Sequence, residues 1–145
     1  MLGFNHVLAG SIVAVLTPAP IVPVVSFLSH FLLDLTPHFG RSKTIYPYTK
    51  PFKRLLVIDG TLSLLGYLFA ITLFPNMWFI IGVGVFFSIL PDLLWIFWRH
   101  NTKWMVKFLD WAERIQWGER PYGWIFDIVY GVVMSITLYF LASQS

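Results

Sequence analysis

A small set of ionisable side chains interrupts the long apolar stretches of this sequence. The chain has no cysteine, so a protein-bound metal would have to be held by histidine, carboxylate or water. An ionisable side chain inside an apolar helix is costly, and each one therefore indicates a functional or packing role. The set within or beside the apolar stretches is His6, His30, Asp34, His38, Asp59, Asp92 and Asp127.

The spacing of these residues indicates a metal site. His30 and Asp34 are four positions apart, which places both side chains on one face of a helix, and His38 continues the spacing. Pro91 precedes Asp92 inside an apolar stretch, where proline removes a backbone hydrogen bond and favours a kink. Imidazole and carboxylate together suit zinc, manganese or iron, and such ions activate water. The sequence shows no Ser-His-Asp pattern and no glycine-rich phosphate loop.

The composition indicates where such a site must be built. Of the 145 residues, 57% are hydrophobic and 12% are charged, whereas an average soluble domain carries about 25% charged residues. A soluble chain of this length has too little interior to bury so many apolar side chains. We therefore expect an all-α, polytopic transmembrane helix bundle that forms one integral membrane domain over residues 1–145. The net charge of +3 is assigned to membrane-flanking loops and not to nucleic-acid binding.

The predicted bundle has about five membrane helices and one amphipathic helix at the interface. A full span needs about 20 residues, so the first two helices are short and are expected to form a hairpin. The segment 102–117 has Trp104, Phe108, Trp111 and Ile115 on one helical face, as in an interfacial helix. Pro121 suits the first turn of the last helix. The predicted membrane helices are roughly 4–16, 22–35, 54–74, 77–98 and 121–142.

The polar groups are predicted to meet at one depth. Asp59, Asp92 and Asp127 each lie five to seven positions from a basic residue at a helix boundary, which corresponds to roughly 8–10 Å along a helix. If the third and fourth helices form a hairpin, both basic loops lie on one side, which the positive-inside rule assigns to the cytoplasm. The N-terminus is then cytoplasmic. Gly10, Gly60 and Gly131 are expected to allow close helix approach.

Three short motifs occur in a recognisable order: NHVLAG at 5–10, SHFLLDLTPH at 29–38, and the pair Pro91-Asp92. This ordered set resembles the YdjM-like inner-membrane metal-dependent hydrolases. The His-x-x-x-Asp element also resembles the zinc-ligand pattern of the zinc-dependent phospholipases C and related nucleases. Asp127 lies outside these motifs. The resemblance implies metal ligation by His6, His30, Asp34 and Asp92, with His38 and Asp59 nearby.

Together these observations predict a metal-dependent hydrolase of the inner membrane that acts on a phosphoester or lipid-related substrate. Zinc is the first candidate ion, with manganese or iron as alternatives. The expected partners are the bilayer and that substrate, no nucleic acid is expected, and the oligomeric state is left open. Two alternative functions remain: a transport component for protons or divalent cations, and a non-catalytic scaffold. The predicted metal ligands are His6, His30, Asp34, His38 and Asp92, and the predicted catalytic residues are Asp59 and His38.

Overall fold

The structure is a computed structural model that describes residues 1–39, 49–98, 103–115, 118–120 and 122–144. Within these ranges the chain is mainly helical, as expected, and two short strands, β1 (His38–Phe39) and β2 (Glu119–Arg120), pair in parallel. The helices are α1 (Gly3–Leu16), α2 (Val22–Asp34), α3 (Lys50–Leu73), α4 (Trp78–Trp98), α5 (Lys103–Ile115) and α6 (Trp124–Ser143).

Three helices are long and apolar enough to cross a membrane: those over residues 50–73, 75–96 and 124–143. Only 11%, 22% and 17% of their apolar windows are buried inside the protein. Apolar surface of this extent is what lipid covers in a membrane protein. The predicted helical architecture, with three helices able to span a membrane, is thus confirmed, whereas the expected total of about five membrane helices stays a prediction.

The short helix α1 lies among the others and contacts α2, α3, α4 and α6. Residues 5–11 of α1 are all buried, because neighbouring helices cover it on several sides. A helix that is apolar around most of its circumference needs such an environment. The expected pair of short helices is confirmed, with α1 as the enclosed member. The hydrophobic core around it contains Leu8, Ala14, Val22, Ala70, Phe74, Ile81 and Leu138.

The ends of the longer helices differ from the sequence prediction for local reasons. α3 begins at Lys50, earlier than predicted, because the Thr49 hydroxyl accepts a hydrogen bond from the Phe52 N–H at 3.4 Å. Pro51 occupies the first turn, where its missing N–H costs nothing. α6 begins at Trp124, and Pro121, which was expected in its first turn, lies outside the described residues.

The predicted amphipathic helix forms as α5 and packs on α2. The Phe108 and Trp111 rings lie 6.4 Å and 5.6 Å from the ring of Phe31 in α2. Ala112 is buried on the same side of α5. The exposed side of α5 carries Lys107, Asp110 and Arg114. The amphipathic character is therefore confirmed, and the position of α5 relative to a bilayer stays a prediction.

Two glycines allow α1 and α4 to cross closely. A Cβ built on Gly10 would lie 2.6 Å from the carbonyl oxygen of Gly84, and one built on Gly84 would collide with the Gly10 carbonyl. Gly131 also lies against α1, beside Phe4. The expectation of close approach is confirmed at Gly10 and Gly131, but it is wrong at Gly60, where a Cβ would meet no described atom within 4 Å.

Replacing Gly10 and Gly60 by alanine should have opposite effects on stability. Gly10→Ala forces a methyl group into the α1–α4 crossing, where overpacking costs about 1–3 kcal/mol. Gly60→Ala adds a methyl group in open space and should stabilise the helix by up to about 1 kcal/mol. The melting temperature in detergent micelles, followed by tryptophan fluorescence, measures both. Equal melting temperatures for the two variants would contradict the packing described here.

Candidate metal centre

Two antiparallel helices bring three predicted ligands together at one end of the bundle. His6 of α1 and His30 and Asp34 of α2 each offer one ligand atom, and these atoms lie within 4.8 Å of one another. All three side chains are buried, with 0–1% of their surface exposed. The four-residue spacing placed His30 and Asp34 on one face, as predicted, and α1 adds His6 beside His30.

The Asp34 carboxylate contacts both imidazoles. Its Oδ1 atom is 3.3 Å from His6 Nε2, and its Oδ2 atom is 3.2 Å from His30 Nε2. The nitrogen of Met1 donates a hydrogen bond to Oδ1 at 3.0 Å. The two imidazole rings stack with their centroids 4.1 Å apart and their planes at 22°. Both histidines thus approach a single carboxylate from the same side.

The hydrogen bond made by His30 determines which ring nitrogen carries the proton. The other nitrogen faces the Asp34 carboxylate. His30 Nδ1 lies 2.8 Å from the Ser88 carbonyl oxygen, which can only accept, so Nδ1 is the donor. In a neutral ring Nε2 then carries a lone pair that points at Asp34. Two acceptors 3.2 Å apart repel each other unless a proton or a metal ion lies with them. Metal-binding histidines usually have this second-shell carbonyl contact.

Ser88 of α4 connects the two histidine-bearing helices. While its carbonyl accepts from His30, its hydroxyl donates to the His6 carbonyl at 2.8 Å. The sequence analysis did not single out Ser88. A signal was available, because Ser88 lies four residues before Asp92 in an apolar helix and therefore shares its face.

His6 is buried with both ring nitrogens lacking a hydrogen-bond partner among the described residues. The nearest charged group to Nε2 is the Asp34 carboxylate, whose Oδ1 atom lies 3.3 Å away. Leaving two buried polar atoms unpaired is costly. Coordination of a cation by one nitrogen would offset part of that cost. The chemistry of the three side chains, two imidazoles and one carboxylate, fits a divalent ion.

Asp92 lies at the accessible side of this cluster. Its Oδ1 atom is 3.8 Å from His30 Nε2, and 39% of its side chain is exposed. It is therefore beside the three buried groups and not among them. Its predicted role as a ligand stays a prediction, supported by the proximity to His30.

His38 is fully buried on β1, outside the three-residue group. Its Nδ1 atom donates to the Thr36 carbonyl at 2.7 Å, and Nε2 has no partner in the described part of the chain. Burial lowers the pKa of His38, and the nearby Met1 ammonium lowers it further. The ring is therefore neutral at pH 7, with the lone pair on Nε2. Its predicted roles as ligand and catalytic group are left untested by this placement.

The structure gives Asp59 a position that the sequence analysis did not foresee. Its Oδ2 atom accepts a hydrogen bond from the Gly3 N–H at 2.8 Å, and its Oδ1 atom accepts one from the Phe4 N–H at 3.1 Å. Asp59 therefore caps the first turn of α1 from the neighbouring helix. Both carboxylate oxygens are engaged with the backbone, and the predicted catalytic role of Asp59 stays a prediction.

Asp127 is also buried and fully engaged. Its Oδ1 atom accepts from Asn5 Nδ2 at 3.0 Å, and its Oδ2 atom accepts from the Phe39 N–H at 2.9 Å. These contacts join α6, α1 and β1. The sequence analysis placed Asp127 at the common depth but missed Asn5, the residue that precedes His6.

Comparison with known proteins yields no match: no protein-family model, curated protein or solved structure matches this chain. The resemblance to YdjM-like hydrolases thus rests on the motifs alone and stays a prediction. Function must then be argued from the site itself.

Removing the Asp59 carboxylate should lower stability without disrupting the candidate metal site. Asp59→Ala leaves two N–H groups at the start of α1 without their acceptor, and losing a helix cap costs about 0.5–2 kcal/mol. We expect a lower melting temperature in micelles, with Mn²⁺ stoichiometry retained at saturating ion. Asp110→Ala, which removes an exposed carboxylate from α5, is the control. An unchanged melting temperature in Asp59→Ala would contradict the capping role.

Proposed function

We propose that this protein is a membrane-bound metal-dependent hydrolase in which His6, His30 and Asp34 hold a divalent ion. One observation carries the proposal. The Ser88 carbonyl fixes the donor nitrogen of His30, so that Nε2 and the Asp34 carboxylate face each other inside an apolar bundle. A cation between them is the simplest way to stabilise this arrangement.

The donor set of the cluster suits a divalent ion. Two carboxylates, Asp34 and the nearby Asp92, lie beside His6 and His30, and the Met1 ammonium compensates one of their two negative charges. Zinc prefers four nitrogen or oxygen ligands in tetrahedral geometry, and Asp92 is the nearest further carboxylate to His30. Zinc is therefore the ion we propose, with manganese or iron as the alternatives that the same ligands accept.

A bound divalent ion lowers the pKa of a coordinated water and thereby supplies a nucleophile near neutral pH. The protein's own residues provide the rest of the site. His6, His30 and Asp34 are buried and keep bulk water away on the inner side, while Asp92 is partly exposed and marks the accessible side. His38 Nε2 presents a lone pair and is the proposed proton acceptor.

The proposed site faces the cytoplasm from the inner membrane. Every Lys and Arg lies within residues 41–54 or 99–120, and both segments follow helices whose carboxyl ends lie at the site. Positive residues collect on the cytoplasmic side of a membrane. A substrate that meets the site at this level would be a phosphoester or lipid-related molecule with its charged group among the headgroups.

Two features favour hydrolysis over the alternatives. Residues 7–29, 60–91 and 128–145 contain no His, Asp, Glu, Lys or Arg, whereas a conduction path for ions usually needs polar groups across the membrane. A scaffold whose polar cluster only fixes packing would be expected to pair its polar atoms. The buried Nδ1 atom of His6, which has no hydrogen-bond partner among the described residues, does not fit that expectation.

Purified protein should bind a divalent ion through this cluster. Losing a second-shell partner already weakens metal binding about 10–100-fold, so His30→Ala and Asp34→Asn should weaken Zn²⁺ binding by more than that. Competition titration against a chromophoric chelator measures the affinity in micelles.

Asp110→Asn makes the same carboxylate-to-amide change on the exposed side of α5 and should leave the affinity unchanged. If wild type and His30→Ala carry equally little metal under replete conditions, the proposed metal site is wrong.

Hydrolysis is tested separately with bis(p-nitrophenyl) phosphate and with a fluorescent phospholipid in mixed micelles. We expect turnover that a chelator abolishes, that Zn²⁺ or Mn²⁺ restores, and that Asp34→Asn lacks. Turnover that survives both the chelator and Asp34→Asn would come from a contaminant. Ion uptake into liposomes that depends on Asp34, without turnover, would favour transport instead.

A further inference from the structure

One face of α3 carries basic side chains in its first turns and aliphatic side chains directly after them. Lys50, Lys53 and Arg54 are all exposed, and Val57 and Ile58 are 68% and 59% exposed. Positions 53 and 57 are four apart, as are positions 54 and 58. Residues four apart are neighbours on a helix surface, so each basic side chain lies one turn before an aliphatic one.

Four of these side chains line an open groove on α3, which we call the α3 groove. It has a volume of about 380 Å³ and is lined by Lys53, Arg54, Val57 and Ile58. Sites for small molecules have volumes of about 300–1,000 Å³. Because the basic pair precedes the aliphatic pair along the helix, the α3 groove has a charged end and an apolar end.

The two positive charges of the groove are not neutralised from within the described ranges. Neither Lys53 nor Arg54 forms an ion pair with a residue there. Asp59 is the nearest carboxylate along the sequence, but its two oxygens accept hydrogen bonds from the N–H groups of Gly3 and Phe4. The preceding segment, residues 40–48, contains no Asp or Glu. The charged end therefore suits an anion from outside the chain.

The apolar end indicates what kind of anion fits the groove. α3 is one of the three helices long and apolar enough to cross a membrane, and exposed Leu65 and Leu68 continue its apolar surface further along the helix. A soluble anion would leave these aliphatic side chains uncovered. Basic residues at the end of a membrane helix attract anionic headgroups, and the apolar residues beyond them contact acyl chains. A phospholipid covers both ends of the groove at once.

We infer that the α3 groove binds an anionic phospholipid, with its phosphate on Lys53 and Arg54 and the start of an acyl chain on the aliphatic pair. The Arg54 guanidinium can hold two phosphate oxygens, and the Lys53 ammonium adds a point charge. This lipid is a resident lipid and not the substrate. The inference depends on the membrane placement of α3 and is independent of the metal site.

Native mass spectrometry from micelles, with phosphatidylglycerol or phosphatidylcholine of equal chain length, tests the inference. Wild type should bind the anionic lipid more tightly than the zwitterionic one. Lys53→Gln/Arg54→Gln should weaken phosphatidylglycerol binding roughly fivefold for each positive charge removed. Lys107→Gln/Arg114→Gln removes the same two residue types from the exposed side of α5 and should keep the wild-type affinity.

Two further measurements separate a lipid from a soluble anion and cover a variant that does not fold. Glycerol 3-phosphate has the phosphate but no acyl chains and should not displace the lipid at equal concentration. If Lys53→Gln/Arg54→Gln does not fold, the single variant Arg54→Gln takes its place. Its phosphatidylglycerol binding should depend less on ionic strength than that of wild type, because one screened charge pair is missing.

Four results would overturn the inference. Wild type could bind both lipids equally, or the variants in α3 and α5 could lose equal affinity, which would indicate general charge attraction. Displacement by glycerol 3-phosphate would assign the groove to a soluble phosphate. A lipid-free dimer that Lys53→Gln/Arg54→Gln dissociates would assign it to a second copy of the chain. Zn²⁺ affinity should be unchanged in Lys53→Gln/Arg54→Gln, so failure here is distinguishable from failure of the metal site.

Discussion

The structure depends on one buried carboxylate facing two imidazoles inside an apolar bundle. Asp34 lies within 3.3 Å of His6 Nε2 and 3.2 Å of His30 Nε2, far from bulk water. Transferring a carboxylate into such surroundings costs several kcal/mol unless positive charge accompanies it. Because the Ser88 carbonyl takes the N–H of His30, the ring meets Asp34 with a lone pair unless it is doubly protonated. The Met1 ammonium supplies one positive charge at Asp34 Oδ1, and a proton or a metal ion between His30 Nε2 and Asp34 would remove the remaining repulsion between these two acceptors.

The position of α1 determines how His6 meets Asp34. A helix of 14 residues does not span a bilayer, and α1 is placed by contacts along its length. Asp59 caps its start, Asn5 binds Asp127, and Gly10 lets α4 approach closely enough for Ser88 to reach His6. Each contact acts within about one turn of His6. The depth and rotation of the imidazole are thus set by packing of backbone and small residues as much as by its own partners.

Sequence patterns predicted the main helices well, because the length of an apolar stretch reports the length of a helix. They did not predict which contacts each carboxylate makes. Asp34, Asp59 and Asp127 all lie in apolar helices, yet one contacts imidazoles, one caps a helix and one binds an amide and a backbone N–H. That difference depends on rotation about each helix axis, which in these uniformly apolar helices leaves little periodic signal.

Other features were hidden from the sequence for a similar reason. The pairing of β1 with β2 involves two residues in each strand, too few for an alternating pattern to appear. Gly10 and Gly60 both lie in apolar helices, and only the neighbours show that one faces a crossing and the other open space. By contrast, the His30–Asp34 pair was predictable because its two members lie on one helix, where spacing alone determines the shared face.

The distribution of partners among the carboxylates also explains why the site has one accessible side. Asp59 and Asp127 have their charges compensated by N–H groups, so neither needs a cation. Asp34 meets the imidazoles from within the bundle, and Asp92 reaches His30 from a position where more than a third of its side chain is exposed. A ligand approaching the cluster therefore meets Asp92 first, at the end of the bundle that adjoins the basic segments. Basic segments attract anionic groups, and the phosphate of the substrate proposed above would meet them there.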